Sequence, residues 1–157
     1  MPQFENQVYP TDAEQIEAMR EEGPQGPIYM VNLLKFKPRA EYPDGHGTDI
    51  SGREAYQIYG RAVAQILPRY GGHVVFAADV THLSLGRVDE LWDEVAVACY
   101  PSRRALAEMS SSAEWREAAV HREAGLAGQL NIETTLLPGF SPSQVQVTPP
   151  KRDEQDG

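Results

Sequence analysis

A single cysteine, Cys99, excludes any internal disulfide. A reducing compartment fits that usage, with Cys99 as a small buried thiol in a strand. No apolar stretch approaches the ~18 residues a membrane helix needs, so no membrane partner is expected. The opening residues Met1-Pro2-Gln3-Phe4-Glu5 have neither the basic start nor the apolar core of a secretory signal. The expectation is a cytoplasmic protein. Cations are scarce: 14 Lys and Arg against 23 Asp and Glu leave a formal net charge of −9. That argues against a nucleic-acid partner, because phosphate contacts need clustered Lys and Arg. The four histidines (46, 73, 82 and 121) show no ligand spacing with one another or with Cys99, so no metal site is expected. Phosphate-cradling glycine loops, dinucleotide fingerprints and Gly-x-Ser-x-Gly elbows are missing too, and no cofactor is implied.

What is present is a regular alternation of strand and helix patterns. At 157 residues, with 41% hydrophobic and 24% charged residues, the chain has the means for one ordinary core. Thr11-Asp12-Ala13-Glu14 matches a capping box and predicts a short peripheral helix to about Glu22, stopped by Gly23-Pro24. Residues 28–37 form the first strand, apolar on both parities and therefore covered on both faces. Residues 38–50 are rich in turn chemistry and long for a connection, which suits a functional cover or a mobile loop. Ser51-Gly52-Arg53-Glu54 opens a helix over 52–69 with one apolar stripe.

Two strands, 73–85 and 91–100, joined by Gly86-Arg87-Val88-Asp89-Glu90, read as an antiparallel hairpin whose first arm suits a sheet edge. A short helix to about Met109, a helix over 112–125 capped by Ser111 with Glu114, and a strand over 129–137 complete the pattern. The order strand–helix–strand–strand–helix–strand is the ferredoxin-like, split βαβ arrangement: an α+β fold with a four-stranded antiparallel sheet and an extra N-terminal helix. Its helices cover one sheet face only, so a second copy is the natural cover for the other. Residues 1–137 are read as one domain. Residues 138–157 form a tail, disordered from 148, with Val145-Gln146-Val147 able to pair along an exposed edge.

Three stretches carry a resemblance: Ala55-Tyr56-Gln57-Ile58-Tyr59, Tyr70-Gly71-Gly72-His73, and Val95 to Ser102 with its aromatic-Pro-Ser ending, followed by Ser112-Ala113-Glu114-Trp115. In that order and spacing, over about residues 28–137, the chain resembles the domain-of-unknown-function 1330 family. The resemblance implies the dimeric α/β-barrel superfamily, in which two ferredoxin-like sheets face each other. The 38–50 loop and the tail depart from the compact family pattern. Relatives on that fold include cofactor-free monooxygenases, isomerases and dehydratases acting on small carbonyl or aromatic compounds. Some barrel monooxygenases that degrade haem use an Asn of the first strand with a Trp and a His near the last helix, a set that Asn32, Trp115 and His121 resemble. Trp115 and His121 lie six residues apart, roughly 600° around a helix, and so face different sides. Haem ligation by His121 is not expected.

The candidate site residues follow from polar groups set in apolar elements. Asn32 sits on an apolar parity and must find partners, from local backbone or a pocket. Tyr59 lies on the buried stripe, so its hydroxyl needs a ligand or Asn32. Tyr56 either aims at the same cleft or packs with its hydroxyl at the rim. Arg103 and Arg104 at a helix start suit a bound carboxylate or are simply solvated. His46 could close over a site from the long loop, or be polar filler. His73 and His121 are the candidate proton carriers, with Asn32, Tyr56, Tyr59 and Arg103 for substrate. The expectation is a homodimer with a small apolar pocket, cofactor-independent if it is an enzyme. The alternative is a non-catalytic ligand-binding or assembly module.

Overall fold

The computed structural model describes residues 12–46 and 49–142. The elements are α1 (Ala13–Ala18), β1 (Ile28–Phe36), α2 (Gly52–Ile66), β2 (His73–Asp79), β3 (Glu94–Tyr100), α3 (Arg103–Ser110), α4 (Ala113–Gly125) and β4 (Leu126–Thr134). The four strands form one antiparallel sheet in the order β2-β3-β1-β4, the ferredoxin-like topology read from the sequence. β2 is an edge and β3 is interior, as their compositions required. No helix among the described residues is long and apolar enough to cross a membrane.

Local chemistry sets the boundaries, and several differ from expectation. Thr11 lies outside the described residues; α1 is capped by Asp12, which accepts from the Gln15 amide, and it ends at Ala18 rather than near Glu22. The Ser51–Glu54 capping box of α2 is present in full. Pro68 tightens the end of that helix into a 3-10 turn, Leu67–Tyr70, closed by Gly71 at φ 74°. Ser112, not Ser111, caps α4: its hydroxyl accepts from the Trp115 amide while donating to the Met109 carbonyl, and Ser111 donates to the Ala107 carbonyl of α3.

The hairpin is shorter than its sequence suggests: β2 stops at Asp79 and β3 begins at Glu94. Asp93 marks the last contact between the arms. Its carbonyl accepts from the Val80 amide, its amide donates to the Leu34 carbonyl and its carboxylate accepts from the Phe36 amide, which ties the start of β3 to β1. β4 begins at Leu126, directly after α4, three residues earlier than expected. Gly125 permits that junction by close approach rather than by a turn: a Cβ there would stand 2.3 Å from the Gly52 carbonyl oxygen, where α2 and α4 cross.

The helices cover one face of the sheet. Ile28, Met30, Val63, Ile66, Leu67, Tyr100, Met109, Trp115, Ala118 and Ala119 form the main core. The opposite face carries Val31, Leu33, Val95 and Val97 in register, with Phe76 at 55% and Ile132 at 45% exposure. The 38–50 loop is packed down at two points, while residues 43–46 and 49 are exposed. Ala40 and Tyr42 are buried against Ala55 and Ala124, and the Glu41 backbone amide donates to the Ala124 carbonyl. It anchors the end of α4.

Candidate functional site

A cavity of about 760 Å³ lies between the sheet and helices α2, α3 and α4. Its floor follows from small side chains. Register places Ala77, Ala96, Asn32 and Asn131 in one row across the four strands, with Ala98 beside Met30 in the next. Larger residues at 77, 96 and 98 would fill this space. The roof is Tyr56, Tyr59 and Gly60 of α2, Leu106 and Met109 of α3, and Trp115 and Arg122 of α4. A second cavity of about 500 Å³ adjoins it beneath Met19 of the α1 region, sharing Met30, Arg122 and Gln129 as walls.

A chain of polar groups crosses this apolar space. Arg122 Nε donates to Gln129 Oε1 at 3.1 Å, and a terminal guanidinium nitrogen donates to the same oxygen. Gln129 Nε2 donates to Asn32 Oδ1 at 2.8 Å, and Asn32 Nδ2 donates to the Met30 and Ala96 carbonyls, both at 3.2 Å. The order fixes each amide: Gln129 must accept from the cation, so it offers a donor to Asn32. Trp115 Nε1 donates to the Tyr59 hydroxyl at 3.2 Å, and Tyr56 packs between Phe36 and Tyr59 with ring centroids 5.4 and 5.3 Å away. Burial pushes the Tyr56, Tyr59 and Tyr100 phenols above their ordinary range, while the positive field of Arg122 draws Tyr56 and Tyr59 part of the way back.

Asn32, Tyr56 and Tyr59 therefore come together. Asn32 bonds backbone carbonyls and also lines the cavity. The Tyr59 hydroxyl finds Trp115 rather than Asn32.

The other candidates stand outside this cavity. His73 pairs in register with Cys99, which puts it exposed on the sheet face away from the cavity. His121 Nδ1 meets the Tyr42 hydroxyl at 2.6 Å on the far side of α4, as its spacing from Trp115 required. His46 stacks on Tyr42 and bonds Asp44 there, with no part in the cavity. Arg103 is already neutralised: Nε and a terminal nitrogen each meet a Glu133 oxygen at 2.8 Å, and it also donates to the Ala18 carbonyl. Arg104 pairs with Glu108 at 3.0 Å on the surface.

Sequence reasoning missed three cavity residues. Arg122 sits at the spacing of Trp115, Ala118 and Ala119, a charge on the buried stripe of α4 that signals as Asn32 does on β1. Gln129 is among the few buried polar residues. Glu94 shares its parity with Ala96 and Ala98 and lines the cavity. Burial holds its carboxyl above the ordinary range, the Arg53 cation opposes that shift, and Asp79 adds to it.

The profile of a family described as a domain of unknown function (DUF1330) matches residues 46–134. Two crystal structures of RPA0582, a protein of unknown function from Rhodopseudomonas palustris, are similar. The unmodified protein is 37% identical with a TM-score of 0.74, covering 84% of this chain and 98% of its own. The methylated form is 38% identical with a TM-score of 0.76, covering 86% and 98%. A dimeric ferredoxin-like protein of unknown function from Bacteroides fragilis overlaps at a TM-score of 0.42 and 9% identity, over 71% of this chain and 98% of its own, too slight a likeness to bear on assembly here. No curated protein gives a significant match.

Proposed function

The chain belongs to the family described as a domain of unknown function (DUF1330), and from that premise we propose a homodimeric α/β barrel whose subunits each bind a small carbonyl or aromatic compound in the cavity. One observation carries this reading. The Arg122–Gln129–Asn32 chain and two phenols line a space otherwise walled by Met30, Leu106, Met109 and Trp115. Preformed, mostly apolar cavities with a few fixed polar groups are what small-molecule sites look like. The apolar walls suit an aryl or alkyl group, and the cation and amides suit a carbonyl oxygen. Chemistry without a cofactor, of isomerase or dehydratase type, agrees better with acid–base side chains than oxygenation does.

The dimer is supported by the bare sheet face. Val31, Leu33, Val97, Phe76 and Ile132 make one contiguous apolar surface, of a kind monomers rarely leave wet. A second copy of the same face is self-complementary. Residues 1–137 are taken as the single domain and a reducing cytoplasm as its setting. The Val145–Val147 segment, and with it the assembly-module alternative, lies outside the described residues.

Calorimetry and thermal shift with small ketones, aldehydes and phenols test the site. The expected result is stabilisation of the wild type by at least one compound and none for Gly60→Leu, which fills the cavity. A flat response across the panel from folded protein would end this reading. Sedimentation tests the dimer: Phe76→Asp with Ile132→Asp should give monomers at micromolar concentration, and a monomeric wild type would refute it.

A further inference from the structure

We propose that Glu94 is the proton-transfer group of this cavity, taking a proton from the carbon beside a bound carbonyl while the Tyr56 hydroxyl hydrogen-bonds the enolate oxygen. The inference rests on the small-molecule reading of the cavity and names its chemistry. Two serine hydroxyls there, and the carboxylate of the adjoining cavity, are committed. The Ser110 hydroxyl donates to the Leu106 carbonyl and that of Ser111 to Ala107. Glu133, in the adjoining cavity, is held by both Arg103 nitrogens.

Glu94 differs. Its side chain is 20% exposed, its nearest ion-pair partner is Arg53 at 3.7 Å, and Arg53 gives its hydrogen bond to Asp79 instead. Among the described residues neither the Glu94 carboxylate nor the Tyr56 hydroxyl makes a hydrogen bond, and both line the same cavity. Burial raises the carboxyl toward the working range of a general base, and keeps the phenol protonated as a donor.

The step balances without an oxidant or cofactor. A Glu94 oxygen takes the proton as the C–H bond breaks, and that electron pair forms the C=C bond of an enolate. Negative charge develops on oxygen, toward Tyr56 and the field of Arg122. The proton returns to the same carbon, giving exchange, or to the far end of a conjugated double bond, giving isomerisation.

Proton NMR in D₂O with phenylacetone, and with phenylpyruvate as the anionic counterpart, tests this through loss of the protons beside the carbonyl. Binding is followed in parallel by saturation transfer. The expected result is exchange well above the buffer rate for at least one probe, lost about 100-fold or more in Glu94→Gln with binding retained. Tyr56→Phe should lose about tenfold, the scale of one hydrogen bond to developing charge. Arg53→Ala should move the acid limb of the rate profile to higher pH, since Arg53 opposes the Glu94 shift. Binding without exchange, or Glu94→Gln exchanging like wild type, overturns the role of Glu94 and leaves the site reading intact. No binding of either probe by folded wild type overturns both.

Discussion

Gln129 donates from Nε2 to the Oδ1 of Asn32 at 2.8 Å, joining β4 to β1 beneath the helices. Because Asn32 donates onward to two backbone carbonyls, one amide ties three strands together on the cavity floor. Asn32→Ala should destabilise the protein by ~1–3 kcal/mol, since Gln129 and the carbonyls lose their partner in a covered site. Gln129→Leu should cost a similar amount by removing the donor to Asn32 and one acceptor of Arg122. The double variant should fall short of the sum, because each single change already breaks the shared bond. Urea denaturation of the four proteins measures this; strict additivity would show that the contact contributes nothing.

Gly60 offers a cleaner probe of the cavity than any polar residue. It lies inside α2, lines the cavity, and an added Cβ would meet no atom within 4 Å. Gly60→Ala should therefore stabilise by ~0.5–1 kcal/mol through helix propensity alone. Gly60→Leu should stay folded while closing the space to ligands. Thermal melts check the first, and a Gly60→Ala variant less stable than wild type would mean the cavity is smaller than it stands here.

The fold was legible in the sequence because its signals are local. Capping at Ser51, the double glycine before His73 and the two-sided apolarity of β1 each act within a few residues. The cavity was half legible. Asn32 stood out as an amide among aliphatic neighbours, whereas Arg122 was concealed by the polar residues around it on α4. Glu94 follows Asp93 and reads as one of a surface pair, yet the strand's alternation sends Asp93 to cap β1 and Glu94 toward the cavity. The histidines misled because type alone suggests proton transfer. Register put His73 on the other face, and the buried Tyr42 claimed His121.

Alkaline pH should loosen the roof. Tyr56, Tyr59 and Tyr100 have folded values raised above 10.0 by burial, so their protonated forms are favoured by folding. That stability is complete below pH ~10 and is lost as pH rises through the folded values, because the unfolded chain releases its protons first. Each such tyrosine should steepen the loss by up to ~1.4 kcal/mol per pH unit above pH ~10. The Tyr59→Phe variant should start lower by ~1 kcal/mol at neutral pH, having lost its bond from Trp115. Its decline between pH 10 and 12 should be shallower than that of wild type; parallel declines would count against a buried phenol.

The Arg103–Glu133 pair should govern the stretch around α1 more than the stability of the whole. Arg103 binds Glu133 through two nitrogens and holds the Ala18 carbonyl, while Gly23, at φ +69°, lies so close that a Cβ would stand 2.7 Å from the guanidinium. α1 buries no residue of its own, so this clasp is its main tether. Arg103→Gln should change overall stability by only about 1 kcal/mol, because desolvation and side-chain ordering offset most of the gain of a partly exposed pair. It should markedly speed tryptic cleavage after the exposed Arg20. Gly23→Ala should have the same effect by displacing the guanidinium and straining the left-handed turn. Pairing with Arg103 holds Glu133 below its ordinary range, so the clasp is present at neutral pH and weakens as pH falls through that lowered value. Acid should therefore expose Arg20 in wild type, followed with an acid-active protease, and have little added effect in Glu133→Gln. If cleavage near Arg20 proceeds equally fast in all of these proteins, α1 is held by something other than Arg103.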